Sequence, residues 1–319
     1  VRRSSASRGL VVAVVAAFTF GTSGALVKPL LESGWSPAAA VTLRALVGGI
    51  VLMPIALLSL RGRWDALWRG RYRVAAMGLV GVAATQLAYF GALQRIPVGT
   101  AILLEYMAPI LLVAVAWALS RRRPELVILA GSVVAVLGLV LVVAPARGAT
   151  LDALGLLLGV AAMVGCAFYY VLAARPSDGL PPVALAAFGL VLGGAALGVT
   201  GAAGILPFTT STRDVALLGA SAPWWLPILL VGIVSTAVAY TANITASELL
   251  GSRLASFAGL LEVIAATLYA WLLLGERLTV PQLLGGALIL GGIVLVRLAR
   301  GRSLPVEAPG SSPLPEHVP

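Results

Sequence analysis

Charge, cysteine and histidine are all scarce in this chain. Only 11% of its residues are charged, far below the roughly 25% of a water-facing domain. With 60% hydrophobic residues and a mean hydropathy of +1.03, the composition excludes an ordinary soluble globular fold. The single cysteine, Cys166, lies in an apolar run and excludes an intrachain disulfide. The single histidine, His317, sits in a polar tail, so neither a zinc cluster nor a histidine-based triad can be assembled. Walker, Rossmann and H-E-x-x-H motifs are also missing. No cofactor, metal site or ATP-hydrolysing domain is therefore expected. A net charge of +10 would suit nucleic acid, but the basic residues lie in short connections between apolar runs. That placement points to membrane topology, with no nucleic-acid partner.

What the chain does have is a series of ten apolar runs, at roughly 10–31, 38–60, 74–94, 99–119, 126–144, 153–174, 182–200, 225–247, 254–274 and 281–299. Each is near the 17–25 residues that cross hydrocarbon as a helix, and none alternates in the way a porin-like barrel strand does. The first run follows Arg2, Arg3 and Arg8, as in a signal peptide. It is too long for a signal core and is expected to be retained as a helix.

The runs repeat. At one constant offset Gly34 and Pro37 fall on Gly179 and Pro182; at slightly larger ones Gly81, Thr85 and Tyr89 fall on Gly232, Thr236 and Tyr240. Trp117, Gly131 and Gly138 likewise fall on Trp271, Gly285 and Gly292. Offsets that change only in connections argue for two related halves. Most arginines between runs fall on one side if the amino end is cytoplasmic: Arg2, Arg3, Arg8; Arg61, Arg63, Arg69, Arg71, Arg73; Arg121, Arg122, Arg123; Arg175; Arg253; Arg297, Arg300, Arg302. The other side receives Arg95, Arg147, Arg213 and Arg277. Both termini are thus expected in the cytoplasm, in a multi-pass protein of the cytoplasmic membrane. Five crossings per half is an odd number, so the second half must be inverted relative to the first. The expected fold class is an all-α polytopic membrane protein with ten transmembrane helices in two inverted five-helix repeats. Such halves enclose a substrate site near the midplane. The organisation is a cytoplasmic segment 1–9, a first repeat 10–145, a second repeat 150–300 and a disordered cytoplasmic tail 301–319 rich in Pro, Ser and Gly.

Ionisable groups in hydrocarbon are costly and need a cavity or a partner. Glu105 and Glu262 are such acids, and Arg44 is such a base, for which either acid or an anionic substrate group is a candidate partner. Lys28 and Glu248 stand nearer segment ends and are expected to snorkel. Gln86 with Tyr89, and Tyr240 with Asn243, sit three apart on one helix face and can converge on one cavity. Phe18, Tyr169, Tyr170 and Trp271 are candidates for its apolar wall. Interhelical hydrogen bonding is the plainer alternative for the polar groups. Pro109 should break its helix, and Gly285 and Gly292 should allow close helix approach.

Three stretches carry a family resemblance: Arg95-Ile96-Pro97-Val98-Gly99-Thr100-Ala101, its continuation Glu105-Tyr106-Met107-Ala108-Pro109, and Trp271-Leu272-Leu273-Leu274-Gly275-Glu276-Arg277-Leu278. With Arg44 and the doubled pattern, the chain resembles the EamA family of the drug/metabolite transporter superfamily over about residues 10–300. Two departures stand out: Ser120-Arg121-Arg122-Arg123 replaces the Gly-Glu pair in the first half, and Glu262-Val263 stands where many relatives have Glu-Pro. The resemblance implies a carrier with its cavity between two EamA-like repeats, often an exporter of amino acids or other small metabolites. The expected function is therefore a secondary active transporter, not an enzyme, working by alternating access. Small polar metabolites, amino acids foremost, are the expected cargo, and protons the simplest coupling ion. A multidrug exporter, or one for nucleobases or sugars, is the alternative; a membrane scaffold or membrane-embedded enzyme is a more distant one. Membrane lipid and a small-molecule substrate are the partners expected.

Overall fold

Leu, Val, Ala and Gly with little interspersed charge leave the backbone no partner in lipid but itself, so the apolar runs become helices. The computed structural model describes residues 2–121, 123–143, 152–173, 179–217 and 219–300. The tail 301–319, the junction 144–151 and four arginines of the topology argument (Arg122, Arg147, Arg175, Arg302) lie outside the described residues, as do the side chains of Arg2, Arg3, Arg253 and Arg300.

The order is α1 (Arg2–Glu32), α2 (Pro37–Ser59), the short α3 (Trp64–Arg69) and α4 (Arg71–Ala76), which continues through a π-helical stretch, Met77–Ala84, into α5 (Thr85–Leu93). Then come α6 (Val98–Glu105), α7 (Ala108–Ser120) and α8 (Leu126–Val143). The second half holds α9 (Ala153–Ala173), α10 (Pro182–Ala202) and an antiparallel hairpin of β1 (Val215–Leu217) and β2 (Ala220–Ala222). It continues with α11 (Trp225–Gly232), a π-helical stretch Ile233–Val238, α12 (Ala239–Ala258), α13 (Leu260–Leu274) and α14 (Val280–Arg300). Among the described residues, nine helical stretches are long and apolar enough to cross a membrane. The protein is a mostly helical, multi-pass membrane protein.

The ninth expected segment, 254–274, needs correction. No proline interrupts Ser247–Ala258, so α12 keeps its hydrogen-bond ladder to Ala258, and the break falls at Gly259. That leaves α13 with 15 residues, about 22 Å at 1.5 Å per residue. The hairpin and α3 were not foreseen. The hairpin turns at Gly219, whose φ of 77° suits glycine.

Packing crosses between the halves. α1 lies against α12 and α13, and α9 against α5, α6 and α7. α2 pairs with α10, and α8 with α14. Glycine sets the α8–α14 spacing: a Cβ on Gly292 would stand 2.4 Å from the Gly131 carbonyl oxygen, and one on Gly285 2.5 Å from that of Gly138. Outward faces are apolar, Leu119 and Leu126 each being 82% exposed, as lipid contact requires.

Candidate substrate cavity

The helix break in the first half places the first acid. Pro109 cannot donate a backbone hydrogen bond, so α6 ends at Glu105 and α7 starts at Ala108, with Tyr106 and Met107 as the turn between them. Glu105 thus stands at an opened helix end. Glu262 stands differently, in the first turn of α13, where an acid complements the helix dipole.

Two π-helical stretches shape the neighbouring wall. Thr85 Oγ1 donates to the Val80 carbonyl at 2.7 Å, and Thr236 Oγ1 to the Val231 carbonyl at 2.9 Å, each reaching five residues back. π-bulges of this kind recur at functional sites. Glycines let other helices close onto these threonines. An added Cβ would lie 2.1 Å from Thr85 Oγ1 at Gly165, and 2.5 Å from Thr236 Cγ2 at Gly48.

A cavity of about 630 Å³ lies between the halves. α1 contributes Ala13, Ala16, Ala17, Phe20, Gly21, Ser23 and Gly24; Arg44, Gly81, Thr85, Gln86, Tyr89, Ile102, Glu105 and Tyr106 complete the first-half wall. The second half supplies Cys166, Tyr169, Tyr170, Tyr240, Asn243, Ser247, Gly259, Glu262, Ala266 and Arg297. Nine residues singled out in the sequence therefore meet here: Arg44, Gln86, Tyr89, Glu105, Tyr169, Tyr170, Tyr240, Asn243 and Glu262.

Phe18 and Trp271 do not. Phe18 packs edge-on to Tyr269 with ring centroids 6.4 Å apart, and Trp271 is 54% exposed. Two positions along a helix rotate a side chain by about 200°, so Phe20 holds the place expected of Phe18. Its ring lies 5.2 Å from that of Tyr240. The spacing Ala13, Ala16, Ala17, Phe20, Gly21, Gly24 was the available signal for that face. Ser23, Tyr106, Cys166 and Arg297 were also missed.

Arg44 is 7% exposed and bonds to neutral oxygens. Its Nε donates to Thr236 Oγ1 at 3.0 Å, one Nη donates to Gln86 Oε1, and the guanidinium lies 5.4 Å from the Phe90 ring centroid. The carboxylate partner expected for it does not appear among the described residues. Glu262 instead accepts the Tyr106 hydroxyl at 2.6 Å. No grouping of three metal-ligating side chains occurs among the described residues.

Lys28 does not snorkel freely. Its ammonium meets the Glu276 carboxylate at 2.5 Å. Gly275 adopts φ 67° to end α13, and Glu276 then reaches the first amide of α6, accepting from Val98 N at 2.9 Å. The Gly-Glu pair noticed in the sequence is thus a cross-half cap on α6, tied to α1.

The family profile described as "EamA-like transporter family" matches twice, over residues 7–144 and 153–298. The chain belongs to the EamA-like transporter family. Members of this family are membrane carriers of small molecules, not enzymes. The chain is 24% identical over 306 residues to the uncharacterized inner membrane transporter YicL of Salmonella typhimurium, covering 92% of this chain and 96% of that protein. It is 27% identical over 287 residues to an uncharacterized transporter of Archaeoglobus fulgidus, covering 90% and 95%. A protein of known crystal structure superimposes with a TM-score of 0.61 at 21% identity, over 93% of this chain and 99% of its own. That likeness concerns the fold.

Proposed function

We propose that this EamA-like protein exports small polar metabolites, amino acids or related compounds foremost, by alternating access between two inverted five-helix halves. The observation that carries the reading is one cavity walled by both halves and holding Arg44, Glu105 and Glu262 from the apolar runs. Charges placed in lipid are expensive unless they serve such a path.

Inversion is supported by contacts that exchange equivalents. Gly131 corresponds to Gly285 and Gly138 to Gly292, yet Gly131 meets Gly292 and Gly138 meets Gly285. A two-fold axis between α8 and α14 produces that crossing. On this reading α13 is the ninth of ten crossings, and the repeats are 10–145 and 150–300, close to the two family matches. The arginine distribution supports cytoplasmic termini. The name of the Salmonella relative supports a place in the inner membrane.

With that orientation the cavity faces inward. Its wall uses the amino-terminal part of α1 and the carboxy-terminal parts of α9 and α14, which lie toward the cytoplasm. Lys28, Glu276 and Val98 join the halves at the opposite end. Proton coupling assigns Glu105 or Glu262 as the carrier of the proton, the two acids in the path.

The test is flux of labelled amino acids by the purified protein in liposomes under an imposed pH gradient. Gradient-dependent flux is expected, and Glu105→Gln or Glu262→Gln should change its pH dependence. An unchanged pH response in both variants removes the acids from coupling. Absence of flux for amino acids, nucleobases, sugars and cationic drugs alike defeats the carrier reading.

A further inference from the structure

Among the described residues, four charged side chains line the cavity: Arg44, Glu105, Glu262 and Arg297. Arg44 spends its Nε and one Nη on Thr236 and Gln86. Glu262 takes the Tyr106 hydroxyl, and Arg297 has an interaction of its own. Glu105 differs from all three. Among the described residues no hydrogen bond or ion pair reaches its carboxylate, although it is only partly exposed at the opened end of α6.

A carboxylate only accepts, and it has room for about four donors. A cargo that displaces water from Glu105 without supplying N–H groups leaves that acceptor unpaired, which costs binding. The complementary group is a donor-rich cation. Two other features of the wall suit the same group. Ser23, 8% exposed, lines the same space and has a buried Oγ with no hydrogen-bond partner. Tyr89, Tyr169, Tyr170, Tyr240 and Phe20 offer rings, whose quadrupoles attract a cation and whose surfaces receive an apolar body.

Among the described residues that line the cavity, Arg44 is a less open receptor for an anionic group than Glu105 is for a cation. Arg44 is already bonded twice and lies over Phe90. About 630 Å³ is ample for an arylalkyl amine or an amino acid.

We infer that Glu105 receives the cationic nitrogen of the cargo, which is a primary ammonium compound with an aromatic or other apolar body, its carboxylate dispensable for binding. This deepens the proposed transport function and rests on it in treating the ligand as cargo. Amino acids are then recognised by their amino end.

Three ligands with the same ring and chain separate the contributions: 2-phenylethylamine, phenylalanine and 3-phenylpropionate. Binding to the purified full-length protein in detergent is measured calorimetrically near neutral pH. The amine and the amino acid bind, and the propionate binds about tenfold more weakly or not at all, as loss of a charge-assisted contact requires. Glu105→Gln weakens amine binding about tenfold or more, while Glu105→Asp, which keeps the charge on a shorter arm, regains part of it. The melting temperatures of the ligand-free variants show that they fold. Equal affinity for the propionate, undiminished amine binding by Glu105→Gln, or no binding of any of the three overturns the inference. Binding in the expected order without flux in liposomes upholds it and sinks the carrier reading; gradient-driven flux with a preference for the propionate does the reverse.

Discussion

Thr85 in the first half and Thr236 in the second close the same five-residue loop onto a carbonyl. Tyr89 and Tyr240 stand at equivalent places in the cavity wall. Arg44, by contrast, corresponds to Gly189, and Glu105 to Gly259. The halves therefore duplicate what shapes the helices and not what carries charge. Two copies of Arg44 would bring two buried cations to one site, with no second set of neutral oxygens to satisfy them. Divergence also shows in the backbone. Pro97 starts α6 afresh in the first half, whereas α12 runs unbroken past the matching position and leaves α13 short.

The largest effect should come from breaking the frame the halves share. Gly292→Leu drives a side chain into the Gly131 carbonyl and should cost about 3 kcal/mol or more. Gly291→Leu next to it meets nothing within 4 Å and should be tolerated. Monodisperse yield and melting temperature decide between them, and equal losses would deny that α8 and α14 are held by glycine contact.

The charge unique to the first half comes next. Arg44→Met strands Gln86 and Thr236 and should lower flux by about tenfold or more. Arg44→Lys should not restore it, because an ammonium cannot span both oxygens as a guanidinium fork does. Restoration by lysine would show that charge alone matters.

Thr236→Val and Thr85→Val sharpen the comparison directly. Both lose the bond to the carbonyl five residues back, but Thr236 Oγ1 also accepts from Arg44. The Thr236 variant should therefore be the less stable by about 1 kcal/mol, as measured by unfolding in detergent.

Arg121 offers a gain. It ends α7 at φ 56°, where the equivalent Gly275 ends α13 at φ 67°. Arg121→Gly should stabilise by about 0.5–1 kcal/mol, since glycine adopts that conformation without steric cost.

The smallest effect is a pH response at Asp152, which opens α9 at the border of the second half. The Gly155 amide, 2.7 Å from its Oδ1, and then the Arg95 guanidinium hold its carboxyl below the usual carboxylate range. A depressed folded-state value means that its contribution is complete above the ordinary carboxylate range and is lost as pH falls through the lowered value. Asp152→Asn should flatten the acid side of the melting-temperature profile slightly.

Much of this was legible in the chain itself. The helices were readable because lipid forces every backbone group to bond within its own segment. Their duplication showed in glycines and threonines that repeat at fixed offsets. The nine residues that meet in the cavity stood out because polar and ionisable groups in apolar runs are expensive. Helix phase was harder: Phe18 and Trp271 are aromatic, but the rotation of α1 and α13 turns them from the cavity, and packing alone sets that rotation. The end of α12 was obscure because Gly251 permits a turn and nothing there compels one.

Sequence alone thus determined that the chain lies in a membrane as repeated helices and which side chains could not face lipid, because hydrophobicity and the price of buried charge are local properties of each segment. Only the tertiary structure decided which partners those side chains take. Arg44 joins Thr236, Tyr106 joins Glu262, and Lys28 joins Glu276 across long sequence separations. Such pairings depend on which helix of one half lies against which helix of the other, and that arrangement is a property of the assembled molecule.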